Sequence, residues 1–198
     1  MAGGNHWFIA VVTPNTEKSC RDKLDKLFET LNKEKKYDES EDEDKKVISY
    51  VPIQRELHEW PSNGKRVWVD KVICPCYVFI RCSDKDRYEI ACKAKFILHF
   101  LMDRARKDKD GRSDFARIPP DQMDTFRRMV GGGDTPVSID PGRLHLGSKV
   151  RVKSGRLAGM EGQLYREPNG STSIAIVINI LGCAKTEYPI ELLELVEE

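Results

Sequence analysis

A chain of 198 residues is long enough for one large domain or two small ones. Hydrophobic residues make up 39% of it and charged residues 33%, and no apolar run approaches the roughly 20 residues that cross a bilayer. The net charge of +1 does not predict a general affinity for nucleic acid, although the excess of basic residues lies in residues 1–130. Residues 1–6 lack the basic and apolar segments of a signal peptide, so we expect a cytoplasmic protein without a membrane partner.

The cysteines raise the question of a metal site or of disulfides, and they are Cys20, Cys74, Cys76, Cys82, Cys92 and Cys183. No two of them have CxxC spacing, and no His–Cys cluster supplies the about four converging ligands that zinc needs. We therefore expect free thiols in a reducing cytosol, with no metal and no cofactor. Redox sensing through Cys74 and Cys76, which lie in one predicted strand, is an alternative hypothesis.

The first predicted elements are a strand and an amphipathic helix. Aromatic and β-branched residues from Trp7 to Thr13 predict the strand, and Pro14 ends it. Thr16 is a suitable N-cap for a helix whose apolar residues recur at helical spacing through Leu31. Other positions of this helix are basic: Lys18, Arg21, Lys23 and Lys26. A solvated helix face is the ordinary interpretation of this pattern.

Two stretches are too charged to form a core. Residues 33–46 and residues 104–114 consist mainly of charged side chains, which predicts mobile loops. Between them, Asp84 can cap a short helix, and alternating apolar residues over 96–102 predict a strand. A proline at position 120 favours the start of a closing helix.

The rest of the chain is predicted to be rich in strands. Residues 61–64 are a strong turn signal, after which residues 65–69 and 72–82 extend again and are expected to give a hairpin that reaches into the sheet. Three consecutive glycines then predict a linker over residues 131–142, because glycine is costly to order inside a helix or strand. Residues 143–198 contain about five short predicted strands with glycine turns, a pattern typical of a small closed barrel.

Three motifs occur in an order that is typical of a known family. They are Trp7-Phe8, the corner Cys74-Pro75-Cys76-Tyr77 before an apolar strand, and Gly147 to Gly162 followed by Ile180-Leu181-Gly182. With this set of motifs the chain resembles the NusG family of transcription elongation factors. The resemblance implies an α+β NGN domain over residues 1–130, with a four-stranded antiparallel sheet and flanking helices. It also implies a small all-β, SH3-like KOW barrel over residues 143–198.

The corner differs from the family pattern Phe-Pro-Gly-Tyr at two positions. Pro75 and Tyr77 match the pattern, whereas Cys74 replaces Phe and Cys76 replaces Gly. In this respect, and in the segment Leu98-His99-Phe100, the chain resembles the specialised paralogue RfaH. It is also similar to factors of capsule loci in Bacteroides-like bacteria. The resemblance therefore implies an antitermination factor that serves particular operons.

By the same resemblance, an apolar patch binds the clamp helices of the β′ subunit of bacterial RNA polymerase and suppresses pausing or termination. The positions that match this patch are Trp7, Ile73, Cys74, Pro75 and Tyr77. Ordinary core packing is the alternative for each residue, above all for Trp7 and Ile73. Tyr77 fits an interface well because its ring carries a polar tip.

The resemblance implies two further binding surfaces. The positions that face the non-template DNA strand in RfaH-like proteins are Lys18, Lys23, Lys26 and Lys95, and Arg21 lies on the same helix without that match. In the KOW domain, the apolar positions that engage a small-subunit ribosomal protein in relatives are matched by Leu157, Met160, Ile180 and Leu181. Rho is a further candidate partner of this domain, and barrel core is the expected role of Ile180.

We do not expect an enzyme. The four histidines lie in separate segments without the spacing of a zincin or a catalytic triad, and Gly131–Gly133 lacks the Lys-Ser/Thr of a phosphate loop. The alternative function is a KOW-containing nucleic-acid-binding or ribosome-associated protein without polymerase contact. The apolar corner at 73–77 favours the polymerase hypothesis, because an RNA binder would need aromatic residues among basic ones there.

Overall fold

The structure is a computed structural model that describes residues 5–37, 45–60, 64–107, 110–132, 135–140 and 147–196. The chain divides into two compact units, Met1–Val51 with Cys74–Pro120, and Pro52–Ile73 with Asp121–Glu198. The second unit thus includes residues 52–73 and most of the closing helix, which the sequence placed in an N-terminal domain. Within the described residues, no helix is long and apolar enough to cross a membrane.

The described part contains three α-helices, α1 (Glu17–Glu34), α2 (Asp84–Lys93) and α3 (Pro120–Gly132). The strands of the first half of the chain are β1 (His6–Val11), β2 (Ile48–Tyr50), β3 (Ile53–Glu59), β4 (Arg66–Val72), β5 (Tyr77–Cys82), β6 (His99–Phe100) and β7 (Met102–Lys107). Those of the second half are β8 (Ser113–Phe115), β9 (Arg117–Ile118), β10 (Val137–Asp140), β11 (Lys149–Val152), β12 (Glu161–Arg166), β13 (Thr172–Ile178), β14 (Gly182–Glu187) and β15 (Leu193–Leu195).

The first unit is built on an antiparallel sheet in the order β2-β5-β1-β6, with β9 also paired to β1. The register places Phe8 opposite Ile80 and Ala10 opposite Val78. Residues 7–10 of β1 and 78–80 of β5 are all buried, so both faces of these central strands are covered. This matches the expected four-stranded antiparallel sheet, with β9 as an additional strand.

The two helices of this unit begin differently from the prediction. Thr16 occupies the N-cap position of α1, but its hydroxyl donates to the Thr13 carbonyl at 2.7 Å and does not cap the helix. The cap of α2 is Ser83, whose hydroxyl accepts the Asp86 amide at 3.1 Å, so the expected cap Asp84 is the first helical residue. The buried stripe of α1 has the expected helical spacing and includes Cys20, Leu24, Phe28 and Leu31.

The two charged segments are partly ordered, contrary to the prediction of mobile loops. Residues 33–34 complete α1, and Lys35 forms ion pairs with Asp86 and Glu89 of α2. Residues 38–44 of the first segment lie outside the described residues. In the second segment β7 and β8 form a hairpin, where Arg106 pairs with Asp114. The prediction was wrong for these parts because backbone pairing and ion pairs order charged side chains without a core.

The second unit begins with a separate two-stranded sheet. β3 pairs with β4 and places Leu57 opposite Trp68. These strands flank the turn signal at residues 61–64, of which 61–63 lie outside the described residues, and the Trp60 amide donates to the Lys65 carbonyl at 3.0 Å. The expectation that the hairpin reaches into the sheet of β5 is wrong, because among the described strands β3 and β4 pair only with each other.

The remaining strands of the second unit form one antiparallel sheet in the order β10-β14-β13-β12-β11-β15. Its first strand lies within the predicted linker over 131–142, and α3 continues through Gly132. The buried strand expected to end at Ile180 ends at Ile178. Gly162 fits β12 because a Cβ there would lie 2.8 Å from the Ala175 carbonyl oxygen.

Candidate functional site

The residues before β5 form a tight turn that presents part of the predicted polymerase patch. The Tyr77 amide donates to the Cys74 carbonyl at 3.3 Å, with Pro75 and Cys76 at the centre of the turn. Cys76 has φ +67°, the left-handed conformation that the third residue of a type II turn requires and that glycine adopts most easily. Pro75 is exposed, and Cys76 and Tyr77 are half-buried. The turn therefore places a proline and an aromatic ring at the surface.

A buried carboxylate holds this turn. Glu17, the first residue of α1, is almost fully buried, and its Oε1 accepts the Cys76 amide at 2.7 Å and the Asn15 amide at 3.2 Å. The Cys76 carbonyl in turn accepts the Val12 amide at 2.9 Å. Hydrogen bonds thus connect the turn both to the start of α1 and to the residue that follows β1. Sequence analysis missed Glu17, because a glutamate in the first helical turn ordinarily faces solvent.

The other predicted members of the polymerase patch are not exposed. Trp7 is only 1% exposed within β1, and the Arg81 guanidinium carbon lies 6.0 Å from the centre of its ring. Cys74 is buried in the first unit, and Ile73 is buried in the second unit. The expectation that these three side chains lie on an exposed patch is therefore wrong. Core packing, which the sequence left open as the alternative, accounts for their burial.

Burial also bears on the redox hypothesis for the C-x-C pair. Removal from water raises the pKa of the Cys74 thiol to about 12. This thiol therefore remains protonated near neutral pH, and a protonated thiol is a poor nucleophile. Within the described residues, no group of three or more His, Cys, Asp and Glu side chains could hold a metal ion.

The predicted DNA-facing residues are only partly brought together. Lys23, Lys26 and Lys95 are exposed and form no ion pair with any residue that the structure describes. Lys23 and Lys26 are three residues apart and so project about 60° from each other around α1. Lys18 is half-buried, and Arg21 pairs with Asp22 at 2.8 Å. By helical spacing Arg21 lies about 160° from Lys23, so it does not share the face of the lysines.

An aromatic side chain of the first unit lies near one of these lysines and follows another in sequence. Lys95 and Phe96 form the centre of a turn closed by the Ile97 amide, which donates to the Ala94 carbonyl at 3.0 Å. Ile97 is buried, whereas Phe96 is half-buried and its ring lies 5.5 Å from the Lys23 ammonium nitrogen. Lys23, Lys26, Lys95 and Phe96 are referred to below as the lysine–phenylalanine surface. The sequence predicted a strand at Phe96, but the strand begins only at His99.

The predicted partner residues of the KOW domain are mostly buried in the second unit. Leu157 and Met160 are 1% exposed and Leu181 is 7% exposed, so the expectation of a surface role is wrong for the structure as described. A Cβ on Gly132 of α3 would lie 3.0 Å from Leu157. Ile180, expected in the core, is instead 41% exposed at φ +76° in the turn between β13 and β14.

Side chains of helix α3 form hydrogen bonds with the loops that contain the predicted KOW partner residues. Arg128 donates to the Ala158 carbonyl at 3.0 Å, and Gln122 accepts the Asn179 amide at 2.9 Å. The two loops of the six-stranded sheet that hold the predicted partner residues are thus both hydrogen-bonded to side chains of α3.

The fold and these surfaces define a class of protein: an antiparallel sheet flanked by helices, followed by a small antiparallel β-module. The family model described as "Transcription termination factor nusG" matches residues 5–127. The chain therefore belongs to the NusG family, whose fold supports a general role in transcription elongation or termination.

The comparison with solved structures agrees on the fold. The chain is similar to the NusG of Thermotoga maritima, in a structure that concerns domain interaction in that protein. The TM-score is 0.50 and the sequence identity 15%, with 100% of both chains covered. A likeness at this identity shows the fold alone. No curated protein matches the chain.

Proposed function

We propose that this protein is a transcription antitermination or elongation factor that binds the clamp helices of the RNA polymerase β′ subunit through the turn Pro75–Tyr77. The observation that carries the proposal is a Pro-X-Tyr turn at family positions, with Pro75 exposed and Tyr77 half-buried, whose backbone is held by buried Glu17. A fixed turn loses little conformational freedom on binding, so more of the contact energy appears as affinity. We assign direct contact to Pro75 and Tyr77, and core packing to Trp7, Ile73 and Cys74.

The proposed mechanism needs no chemical step, and we propose that the protein is not an enzyme. The polymerase clamp has a closed, active conformation and a paused conformation. A factor that binds the active conformation more tightly raises the population of that conformation. Pausing or termination is then expected to fall. The factor then acts as a ligand that shifts a conformational equilibrium of the polymerase.

The lysine–phenylalanine surface is the proposed contact with the non-template DNA strand. Lys23, Lys26 and Lys95 are exposed cations without carboxylate partners among the described residues, so they are available to phosphates. Many other basic side chains of the chain are already neutralised by ion pairs, as Lys71 is by Glu56. Each phosphate contact to single-stranded DNA contributes a slope of about −0.7 to log K against log salt.

We further propose a specialised, operon-specific role of the RfaH or capsule-locus type, in the cytoplasm. Its support is the replacement of the corner glycine by Cys76.

We propose that the second unit contains a KOW barrel with a small-subunit ribosomal protein or Rho as a partner. Leu157, Met160 and Leu181 are buried, so binding through them requires that the side chains packed over them move. Ile180 is already exposed.

The test is the affinity of the full chain for isolated clamp helices and for bacterial RNA polymerase. Tyr77→Ala is expected to weaken both interactions by about 1–3 kcal/mol, as truncation of an aromatic interface residue does. Tyr88→Ala is the matched control, because Tyr88 is exposed on α2 and outside the turn. If Tyr77→Ala unfolds the first unit or leaves the affinity unchanged, Tyr77 is not the anchor. A wild-type chain that binds nucleic acid but not polymerase would favour the alternative of a KOW-type nucleic-acid-binding protein.

A further inference from the structure

Phe96 lies near Lys23 and follows Lys95 in sequence, but it was not part of the predicted DNA contact. The turn closed by the Ala94 carbonyl and the Ile97 amide directs Ile97 into the core and leaves the Phe96 ring half-exposed. A single half-exposed ring is ordinary at a protein surface, so the groups around the ring decide whether it marks a binding site.

The surroundings of the ring indicate what kind of partner fits it. The Lys23 ammonium nitrogen lies 5.5 Å from the ring centre, Lys95 adjoins the ring in sequence, and both cations are exposed. Leu98, two residues further on, is 62% exposed. Proteins that bind single-stranded nucleic acid combine cations that follow the phosphates with aromatic rings on which bases stack. A protein partner would have to leave the two cations unpaired or supply carboxylates to them.

We propose that Phe96 is a stacking platform for one unpaired base of the non-template DNA strand, with Lys23 and Lys95 on the phosphates beside that base. The inference rests on the proposed DNA contact and names the residue that contacts the base. Any of the four bases can stack on an aromatic ring. Phe96 therefore contributes affinity and fixes the position of the strand on the protein, with little preference for sequence. Duplex DNA does not fit this role, because its bases are already stacked on one another.

The first measurement is binding of the full chain to elongation complexes of RNA polymerase on a synthetic scaffold with an unpaired non-template strand. Phe96→Leu keeps an apolar side chain of similar size but removes the flat ring, and it is expected to weaken binding about 10-fold. Phe96→Tyr keeps the ring and is expected to bind within about threefold of the wild type. The salt slope is expected to remain that of the wild type, because no phosphate contact is lost.

The second measurement scans single abasic sites through the unpaired strand. At one position the abasic site is expected to weaken wild-type binding about 10-fold and to leave Phe96→Leu binding unchanged, because ring and base are then partners in one contact. Equal losses for both proteins at every position would overturn the stacking contact. So would wild-type affinity of Phe96→Leu on the intact scaffold.

A third variant separates this inference from the function on which it rests. Lys23→Ala combined with Lys95→Ala is expected to flatten the salt slope by about 1.4, while binding to isolated clamp helices stays unchanged. If the lysine variant behaves so and Phe96→Leu has no effect, only the stacking platform is wrong. If neither variant changes the salt slope or the affinity for the scaffold, the DNA contact itself is wrong. Loss of clamp-helix binding in either variant would show that the substitution disturbs the first unit.

Discussion

Cys76 takes a backbone conformation that favours glycine, and a neighbouring side chain compensates for it. A non-glycine residue at φ +67° costs on the order of 1 kcal/mol or more, and such residues persist where their surroundings hold them in place. Here the Cys76 amide donates to Glu17 Oε1 at 2.7 Å and its carbonyl accepts the Val12 amide at 2.9 Å. Glu17 therefore acts as a positioning residue for the proposed polymerase contact at Tyr77.

Glu17→Ala is expected to lower the free energy of unfolding by about 1–3 kcal/mol, because two backbone amides lose their acceptor at a part-buried site. Urea unfolding measures this change, and hydrogen exchange at the Cys76 amide locates it. Glu17→Gln keeps an oxygen acceptor and is expected to lose less. Adding Cys76→Gly to Glu17→Ala is expected to restore part of the stability, since glycine accepts the left-handed φ. Unchanged exchange at Cys76 in Glu17→Ala would contradict the role of Glu17.

At the scale of elements, one ion-pair cluster joins the end of α1 to α2. Lys35 follows α1, and its ammonium nitrogen lies 2.6 Å from Glu89 Oε2, while Lys93 donates to Glu89 Oε1 at 2.7 Å. The hydrogen bonds from Lys35 and then Lys93 lower the pKa of Glu89 from 4.5 to about 2. The cluster therefore joins the residue that follows α1 to helix α2.

The lowered pKa of Glu89 gives a stability contribution that depends on pH. A carboxyl group whose pKa is lower in the folded state stabilises the fold above its unfolded pKa of 4.5 and loses this effect as pH falls towards 2. For a partly exposed pair we expect about 0.2–1 kcal/mol. Lys35→Met is expected to lower stability above pH 4.5, and the difference from the wild type should shrink as acid is added. Denaturant unfolding across this pH range is the measurement, and a difference that stays constant would contradict it.

At the scale of the molecule, the two units can be perturbed separately. Gly162 lies in the second unit, where an added Cβ would come within 2.8 Å of both the Ala175 carbonyl oxygen and Ile174. Gly162→Ala is expected to destabilise this unit by about 1–3 kcal/mol through overpacking. Amide hydrogen exchange should rise in β12 and β13 and remain unchanged in β1 and β5. Equal increases in both sets of strands would show that the units unfold as one.

The sequence by itself determined the features that depend on local pattern. Apolar spacing in α1, β-branched runs in β1 and β5, and the ordered motifs predicted the sheet and the family to which residues 5–127 conform. Strand pairing was less accessible, because the separate β3–β4 sheet and the strand β10 depend on which segments offer backbone partners. Local pattern does not specify those partners.

Only the tertiary structure decided which motif residues are exposed. Trp7 and Pro75 belong to the same predicted patch, yet one is buried and the other is at the surface. Likewise Leu157, expected at a partner surface, is buried, whereas Ile180, expected in the barrel core, is exposed. The role of Glu17 and the approach of Lys23 to Phe96 join residues 59 and 73 positions apart in sequence. Burial and contact at such separations depend on how the elements pack against one another. The spacing of residues along one element does not predict them.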